Sequence, residues 1–520
     1  MTKSPPPPAL PATPGPPTGT ELSHRQILTV FAGLMIGMLL SALDQTIVAT
    51  ALPTIVGELG GLEHLSWVVT AYMLASTVTA PLYGKLSDLY GRRLLFQSAI
   101  VIFLVGSMLA GLSRSMLQLI VFRGLQGAGA GGLMVLAQAI IADIVAPRQR
   151  GRYQGYIGSV FAFSSIAGPF LGGFIVDNLS WRWVFYVNLP LGAVALFVTQ
   201  RALVLPHHRR EHRIDWAGAA LSSVGITALL LAAVWGGDLY PWTSAPIIGL
   251  GALALVALSA FIVVERRASE PILPLELFEN RIFAVGSLLG FMVGVAMFGA
   301  IVFMPLFLQA VVGVSATHSG LLLLPLMAGL LTSSITSGRL ITRWGRYKIF
   351  PVVGTALTTL GYGLLAQMNA ETTLWVASLD MLIVGTGLGM IMQVIVLAIQ
   401  NAVDPRHIGA ATSAAQFFRS VGATIGLTLF GIVMNSRLDR ALASSNIGAL
   451  HLASNPKALL RAPQIVAALP APVRHVLRQA LSESITYAFA VAVPFAALAF
   501  ITALFLREQT LHDQSAGRRR

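Results

Sequence analysis

The sequence predicts an all-α polytopic membrane protein of fourteen spanning helices, and three observations carry that prediction. Hydrophobic residues make up 55% of the 520 and charged residues 11%, at a mean hydropathy of +0.75. The apolar residues gather into runs of about twenty, the length of helix that crosses a hydrocarbon core. Basic residues concentrate on alternate connections between those runs, as in the cytoplasmic loops of membrane proteins. A soluble chain of this length needs far more surface charge. The net charge of +13 therefore reflects topology and attraction to anionic headgroups rather than nucleic-acid binding.

Taken in order, the expected spans are 27–52, 66–83, 94–112, 116–145, 153–176, 182–200, 214–235, 244–264, 282–310, 318–338, 349–368, 372–400, 408–433 and 485–506. Residues 1–26, which include the proline-rich stretch through Pro17, read as a disordered cytoplasmic tail and lack the apolar core of a signal peptide. An even number of crossings places both termini in the cytoplasm, with 507–520 as the second tail. Arg92, Arg93, Arg148, Arg150, Arg152, Arg209, Arg210, Arg213, Arg343, Arg346 and Lys348 then fall inside, and Arg114 and Arg182 on short external connections. The tryptophans sit at helix ends or in short loops, where an aromatic belt belongs. Residues 434–484 form the long external loop. Within it, Val473, Val476, Leu477, Ala480 and Leu481 are spaced as in an amphipathic helix packed on the bundle or lying at the interface.

The second half of the chain echoes the first. Gly84-Lys85-Leu86-Ser87-Asp88-Leu89-Tyr90-Gly91-Arg92-Arg93 follows the second span, and Gly338-Arg339-Leu340-Ile341-Thr342-Arg343-Trp344-Gly345-Arg346 follows the tenth. Gly127-Ala128-Gly129-Ala130-Gly131 and Gly385-Thr386-Gly387-Leu388-Gly389 repeat at nearly the same offset. Two six-helix bundles, 27–200 and 282–506, account for this spacing. Residues 201–281 hold two inserted spans and cytoplasmic linkers. Repeats of this kind place a substrate site at their interface.

These segments also resemble a known family. Gly84–Arg93 is similar to the signature loop of the major facilitator superfamily. Leu43-Asp44-Gln45-Thr46-Ile47-Val48-Ala49-Thr50-Ala51-Leu52-Pro53 resembles the first-helix signature of its fourteen-helix drug:proton antiporters. Phe122-Arg123-Gly124-Leu125-Gln126-Gly127 resembles the fourth-helix arginine motif, and Gly168-Pro169-Phe170-Leu171-Gly172-Gly173 the fifth-helix antiporter motif. Trp181-Arg182-Trp183-Val184-Phe185 with Asn188 and Pro190 is similar to a stretch of the same branch. Ser164 stands where the fifth-helix pattern often has glycine. The resemblance implies a proton-coupled multidrug exporter of a bacterial inner membrane, working by alternating access and needing no cofactor beyond the proton gradient. Its expected partners are a lipophilic, cationic small molecule, protons and membrane lipid. A same-fold exporter of a lipid, siderophore or metabolite is the alternative. A periplasmic or oligomeric partner is not readable.

Four charges fall inside expected spans: Asp44, Arg123, Asp380 and Arg419. An ionised side chain there costs at least about 2.5–3.5 kcal/mol, so each is a functional candidate. From the helical rise, Asp44, Arg123 and Asp380 lie about 10–12 Å from the outer ends of their helices, in one layer. Two acids and one base leave one carboxylate without a full partner, and a carboxylate in a low-dielectric cavity can exchange a proton near neutral pH. The plainer alternative is an Asp–Arg pair that only ties two helices together. Asp44, Arg123 and Asp380 are the proton-coupling candidates. Asp44, Asp380, Met297, Phe298 and Gln309 are the substrate-binding candidates, Met297 and Phe298 belonging to an adaptable Met- and Phe-rich face. Arg419 reads as a packing or gating residue held by backbone carbonyls.

Gly84, Asp88, Gly91, Arg92 and Arg152 form a candidate conformational latch. Asp88 would pair with Arg92 or Arg152 and face the N-terminus of the thirteenth span, whose free amides favour an anion. Gly168, Pro169, Gly172 and Gly173 mark a gating helix, with a missing hydrogen bond at proline and close approach at the glycines. No metal site is expected, since His207, His208 and His212 read as an exposed polar connection. With no cysteine, thiolate chemistry is excluded. Neither His-Glu-x-x-His nor Gly-x-Ser-x-Gly occurs, so the chain does not read as a membrane enzyme, and no filter-like segment suggests a channel.

Overall fold

A chain crossing lipid must satisfy its backbone amides within each segment, and helix is the way a long apolar run does so. The computed structural model describes residues 24–60, 64–203, 215–237, 239–314, 316–443, 471–509 and 511, and no β-strand occurs among them. The first half holds α1 (His24–Leu59), α2 (Leu65–Tyr90), α3 (Arg92–Gly111), α4 (Met116–Ile144), α5 (Pro147–Asn178), α6 (Trp183–Tyr186) and α7 (Asn188–Ala202). Next come α8 (Trp216–Trp235) and α9 (Ala245–Glu265). The second half holds α10 (Arg281–Phe307), α11 (Ala316–Leu322), α12 (Leu324–Trp344), α13 (Ile349–Leu365), α14 (Leu374–Ala402), α15 (Ile408–Ala443) and α16 (Ala471–Leu504). Twelve helical segments are long and apolar enough to cross a membrane. They do not include α2, which carries Lys85 and Asp88 near its end, or the 17-residue α13.

The repeat is visible as packing. A Cβ on Gly127 or Gly131 of α4 would collide with the carbonyls of Tyr72 or Ser76 on α2. A Cβ on Gly385 or Gly389 of α14 would meet those of Leu326 or Leu330 on α12 in the same way. Between these pairs, Gly129 abuts α3 at Phe103, and Gly387 abuts α13 at Gly354 and Thr358. The same three-glycine spacing therefore seats each central helix between the same two neighbours. The tight turns match too: Gly91 (φ 96°) after α2 and Gly345 (φ 70°) after α12 both adopt the left-handed region that favours glycine.

The two halves meet along α2 against α15 and α5 against α12, with α4 and α14 behind them. The α8–α9 hairpin leans on that seam through α8, which touches α2 and α15. The linker after α9 ties in at Glu270, which accepts from the Lys85 ammonium at 2.6 Å.

Several boundaries depart from the sequence reading. The expected 434–484 loop is helical at both ends. α15 runs on to Ala443, and α16 begins at Ala471. The 472–482 segment is not a separate interfacial helix: it continues into the last span, with Leu477, Ala480 and Leu481 buried. Arg478 donates there to the Val311 carbonyl at 2.6 Å. Residues 444–470 lie outside the described residues, as do 1–23 and the histidines at 207, 208 and 212. The C-terminal tail is docked where described: Glu508 accepts from the Tyr347 amide, and the Leu511 amide donates to Gly345.

Candidate functional site

A cavity of about 270 Å³ lies between the halves. Four helices of each half line it: α1, α2, α4 and α5 from the first, α10, α12, α14 and α15 from the second. Its walls combine methionine with small hydroxyl and amide side chains, such as Gln45, Thr77, Ser164, Gln393 and Gln416. Of the substrate-binding candidates, Met297 lines it. Asp44 and Asp380 do not, which corrects their expected place against the substrate. Gln309 is turned aside and donates to Ser319 Oγ at 2.8 Å. Phe303 and Met304, on the same Met- and Phe-rich face, are core residues. The side chain of Phe298 lies outside the described residues.

The reason Asp44 misses the cavity is the face of α1 on which it sits. Ser41, Ala42, Gln45 and Thr46 face the cavity, while Asp44 points into the first half and is fully buried. Its Oδ2 pairs with Arg123 Nη1 at 2.5 Å. Its Oδ1 accepts from Gln126 Nε2 at 2.8 Å and Asn188 Nδ2 at 3.0 Å. Arg123 also donates to Gln126 Oε1 and to the Val68 carbonyl, and lies 4.2 Å from the centre of the Tyr72 ring. Asn188 opens α7 just where the sixth expected span breaks, and its amide also donates to Ser107 Oγ. Charge marks Asp44 and Arg123 in the sequence. Ser107 carried no comparable signal, and Gln126 and Asn188 appeared only as members of motifs.

Asp380 is buried on α14, in the other half, and has no ion-pair partner among the described residues. It makes no contact with the Asp44–Arg123 pair, because equal depth along two helices does not bring their faces together. Arg419 lines the cavity with 7% of its surface exposed, and its guanidinium donates to the Gln416 side chain. The expected hold by backbone carbonyls is replaced by that side-chain contact.

The latch candidates gather at one end of the molecule. Asp88 accepts from the Gly409 and Ala410 amides at 3.2 and 3.0 Å, in the first turn of α15, and pairs with Arg92 at 2.6 Å. Arg92 also bonds Asp143 at the end of α4, at 2.7 Å. Gly84 lets α15 approach, since a Cβ there would collide with Ser413 and the Gly409 carbonyl. Arg152 is not part of this cluster. Its amide instead donates to Thr342 Oγ1 at 3.1 Å, and Thr342 is the counterpart of Asp88 in the second signature. Beside it, Arg148 donates to the Thr342 and Arg343 carbonyls. Further in, Arg150 reaches Asn401, and Gln154 donates to Gln400, which in turn donates to the Gln138 carbonyl. These bridges between the halves all stand at the end of the signature loops.

On α5, a Cβ on Gly168 or Gly172 would collide with Thr46 or Thr50 of α1, so these glycines seat the α1 motif. Thr46 Oγ1 donates to the Ser164 carbonyl at 2.9 Å. Gly173 faces open space and plays no part in that approach. Helix continues through Pro169. At the opposite end from the latch, Trp181 Nε1 and Arg182 both bond Glu58. The Arg182 hydrogen bond, helped by that of Trp181, holds the Glu58 carboxyl below the usual carboxylate range. No group of three or more potential metal ligands occurs among the described residues.

Comparison with known proteins agrees with this architecture. Residues 34–427 match the model of the Major Facilitator Superfamily. The chain is 40% identical to the multidrug transporter protein MdtP of Bacillus subtilis, with 95% of each chain covered. It is 38% identical to multidrug resistance protein 3 of the same organism, covering 92% of this chain and 94% of that one. Among solved structures, the proton:xylose symporter XylE superposes with a TM-score of 0.64 at 14% identity, over 95% of this chain and 99% of the other. At that identity the likeness concerns the fold alone. The four-plus-four cavity, the doubled signature loop and these matches make the chain a transporter, not an enzyme, and a member of the major facilitator superfamily.

Proposed function

We propose that this protein is a proton-coupled exporter of lipophilic small molecules in a bacterial inner membrane, with fourteen crossings and both termini cytoplasmic. The observation that carries the reading is the pairing of a central cavity between two repeats with a secluded Asp44–Arg123 pair on one of its wall helices. Both relatives named above are multidrug proteins, which supports export of drug-like molecules. The bridged end is the cytoplasmic one in this topology, so the structure represents a cytoplasm-closed state. Protonation of Asp44 weakens its hold on Arg123, Gln126 and Asn188 and frees α1 to shift. Asp380 is the second proton candidate, being a buried carboxylate without an ion pair among the described residues.

The test is accumulation of lipophilic dyes in inside-out vesicles under an imposed pH gradient. Wild type accumulates dye and loses it on addition of a protonophore. Asp44→Asn, a mimic of the permanently protonated state, retains downhill exchange and loses uphill accumulation. Gradient-independent accumulation by wild type, or full uphill transport by Asp44→Asn, overturns the coupling scheme.

A further inference from the structure

We propose that the central cavity binds a lipophilic anion whose charged head pairs with Arg419. The proposal rests on the export reading for its direction of transport, but not for the binding site. Among the described residues lining the cavity, Arg419 is the one ionised side chain, and no carboxylate accompanies it there. It is 7% exposed, and its side-chain partner among the described residues is the neutral Gln416. A guanidinium presents five N–H donors in a rigid fork and does not give up its proton. Left without a counter-charge in an apolar site, such a group is costly.

The carboxylates in reach by sequence do not supply that charge. Asp44 is taken up by Arg123, Gln126 and Asn188 on the far side of α1. Asp380 lies off the cavity. Two further cavity groups are poised for a ligand, being buried and without a hydrogen-bond partner among the described residues. They are Ser164 Oγ, whose hydroxyl can donate to an anionic head, and Gln393 Oε1, which accepts and so suits an N–H or O–H donor on the body of the ligand. They sit on α5 and α14, in opposite halves.

A ligand that completes this arrangement carries one compact anionic group with two or more oxygens, a carboxylate or sulfonate, since these match the guanidinium fork. The remaining wall fixes the rest of its chemistry. Met73, Met134, Met297, Met327 and Met392 make the lining apolar and adaptable, so the body is aromatic or polycyclic. A cationic cargo, the expectation built on Asp44 and Asp380, would instead meet a buried like charge.

Three probes sharing one fluorophore test this on the full chain in detergent: dansylglycine (anionic), dansylamide (neutral) and dansylcadaverine (cationic). The expected order of affinity is dansylglycine, then dansylamide, then dansylcadaverine. Arg419→Gln lowers the dansylglycine affinity by about 10- to 100-fold, the scale of a lost charge-assisted hydrogen bond, and leaves dansylamide nearly unmoved. Arg419→Lys, which keeps the charge and loses the fork, falls between. Equal wild-type affinities, tighter binding of the cation, or undiminished dansylglycine binding by Arg419→Gln overturns the proposal. If Arg419→Gln gives no monodisperse protein, the wild-type ranking of the three probes decides by itself. Proteoliposomes separate this site from the export reading. Dansylglycine that binds but is not accumulated under a pH gradient sinks the export reading and leaves the site. Gradient-driven accumulation of dansylcadaverine without dansylglycine binding does the reverse.

Discussion

Asp44 accepts three hydrogen bonds, two from α4 and one from α7, and each donor is itself buried. Removing one of them strands part of a carboxylate in a dry interior. Asn188→Ala is therefore expected to destabilise the protein by about 1–3 kcal/mol, seen as a lower melting temperature in detergent. An unchanged melting temperature would mean that the Asn188 contact contributes nothing. At this scale the sequence disclosed charges and withheld faces. A charge inside an apolar run is conspicuous because of its desolvation cost, so Asp44, Arg123, Asp380 and Arg419 all stood out. Rise per residue gives depth along a helix and not which neighbour a side chain meets. Hence a common depth for Asp44 and Asp380 says nothing of contact between them, and Asp44, a substrate-binding candidate by depth, is turned away from the cavity. Glu58 offers a useful control. Its carboxyl is held low by Arg182, so its contribution is complete above the ordinary carboxylate pKa and is lost only as the pH falls through the depressed value. Transport assays between pH 6 and 8, the range around neutrality in which proton coupling is tested, leave that clasp intact.

Among the elements, the two signature loops show how one plan gives unequal latches. After α2 a carboxylate meets the first amides of α15, where a helix N-terminus favours negative charge. After α12 the matching position is Thr342, a neutral hydroxyl that accepts from the Arg152 amide. Asp88→Asn is expected to lower the transport rate and leave substrate affinity largely intact, and Thr342→Val to have the smaller effect. Equal losses, measured as initial rates at matched expression, would refute the asymmetry. The glycines of α4 and α14 make a packing prediction: Gly127→Ala and Gly385→Ala both drive a methyl into a facing carbonyl and should cut the yield of folded protein. Glycine spacing was legible because close helix contact in lipid demands small residues at fixed intervals. The break between α6 and α7 was not, since no glycine stands there and Pro190 lies two residues inside the second helix. The continuity of α16 escaped for a similar reason. The periodicity of Val473 to Leu481 marks helix, but not that this helix runs on through Ser482 and Ser484, both buried, into the last span.

For the whole molecule, the absence of native cysteine makes introduced thiols clean reporters. Cysteines at Gln154 and Gln400, whose side chains meet across the seam at 3.2 Å, should cross-link under oxidation and stop transport, with recovery on reduction. Transport that continues in the cross-linked protein would show that this end need not open. For topology, a cysteine at Arg346 should resist an impermeant reagent outside intact cells, and one at Glu371, on the next connection, should react. Labelling of the first from outside would invert the proposed orientation. The two-bundle plan itself was legible because each half must bury the same helix faces and so repeats the same small-residue pattern.

The two faces of α1 have one more consequence, and it is kinetic. Asp44 looks into the first bundle, while its neighbours Gln45 and Thr46 look into the cavity. In the proposed coupling scheme proton and cargo would therefore occupy separate places and share a single wall helix, so neither would displace the other by direct competition. More protons on the entry side should raise the maximal exchange rate and leave the half-saturating cargo concentration where it was. A carrier in which both ligands contend for one carboxylate would show the opposite, a half-saturation that climbs with acidity.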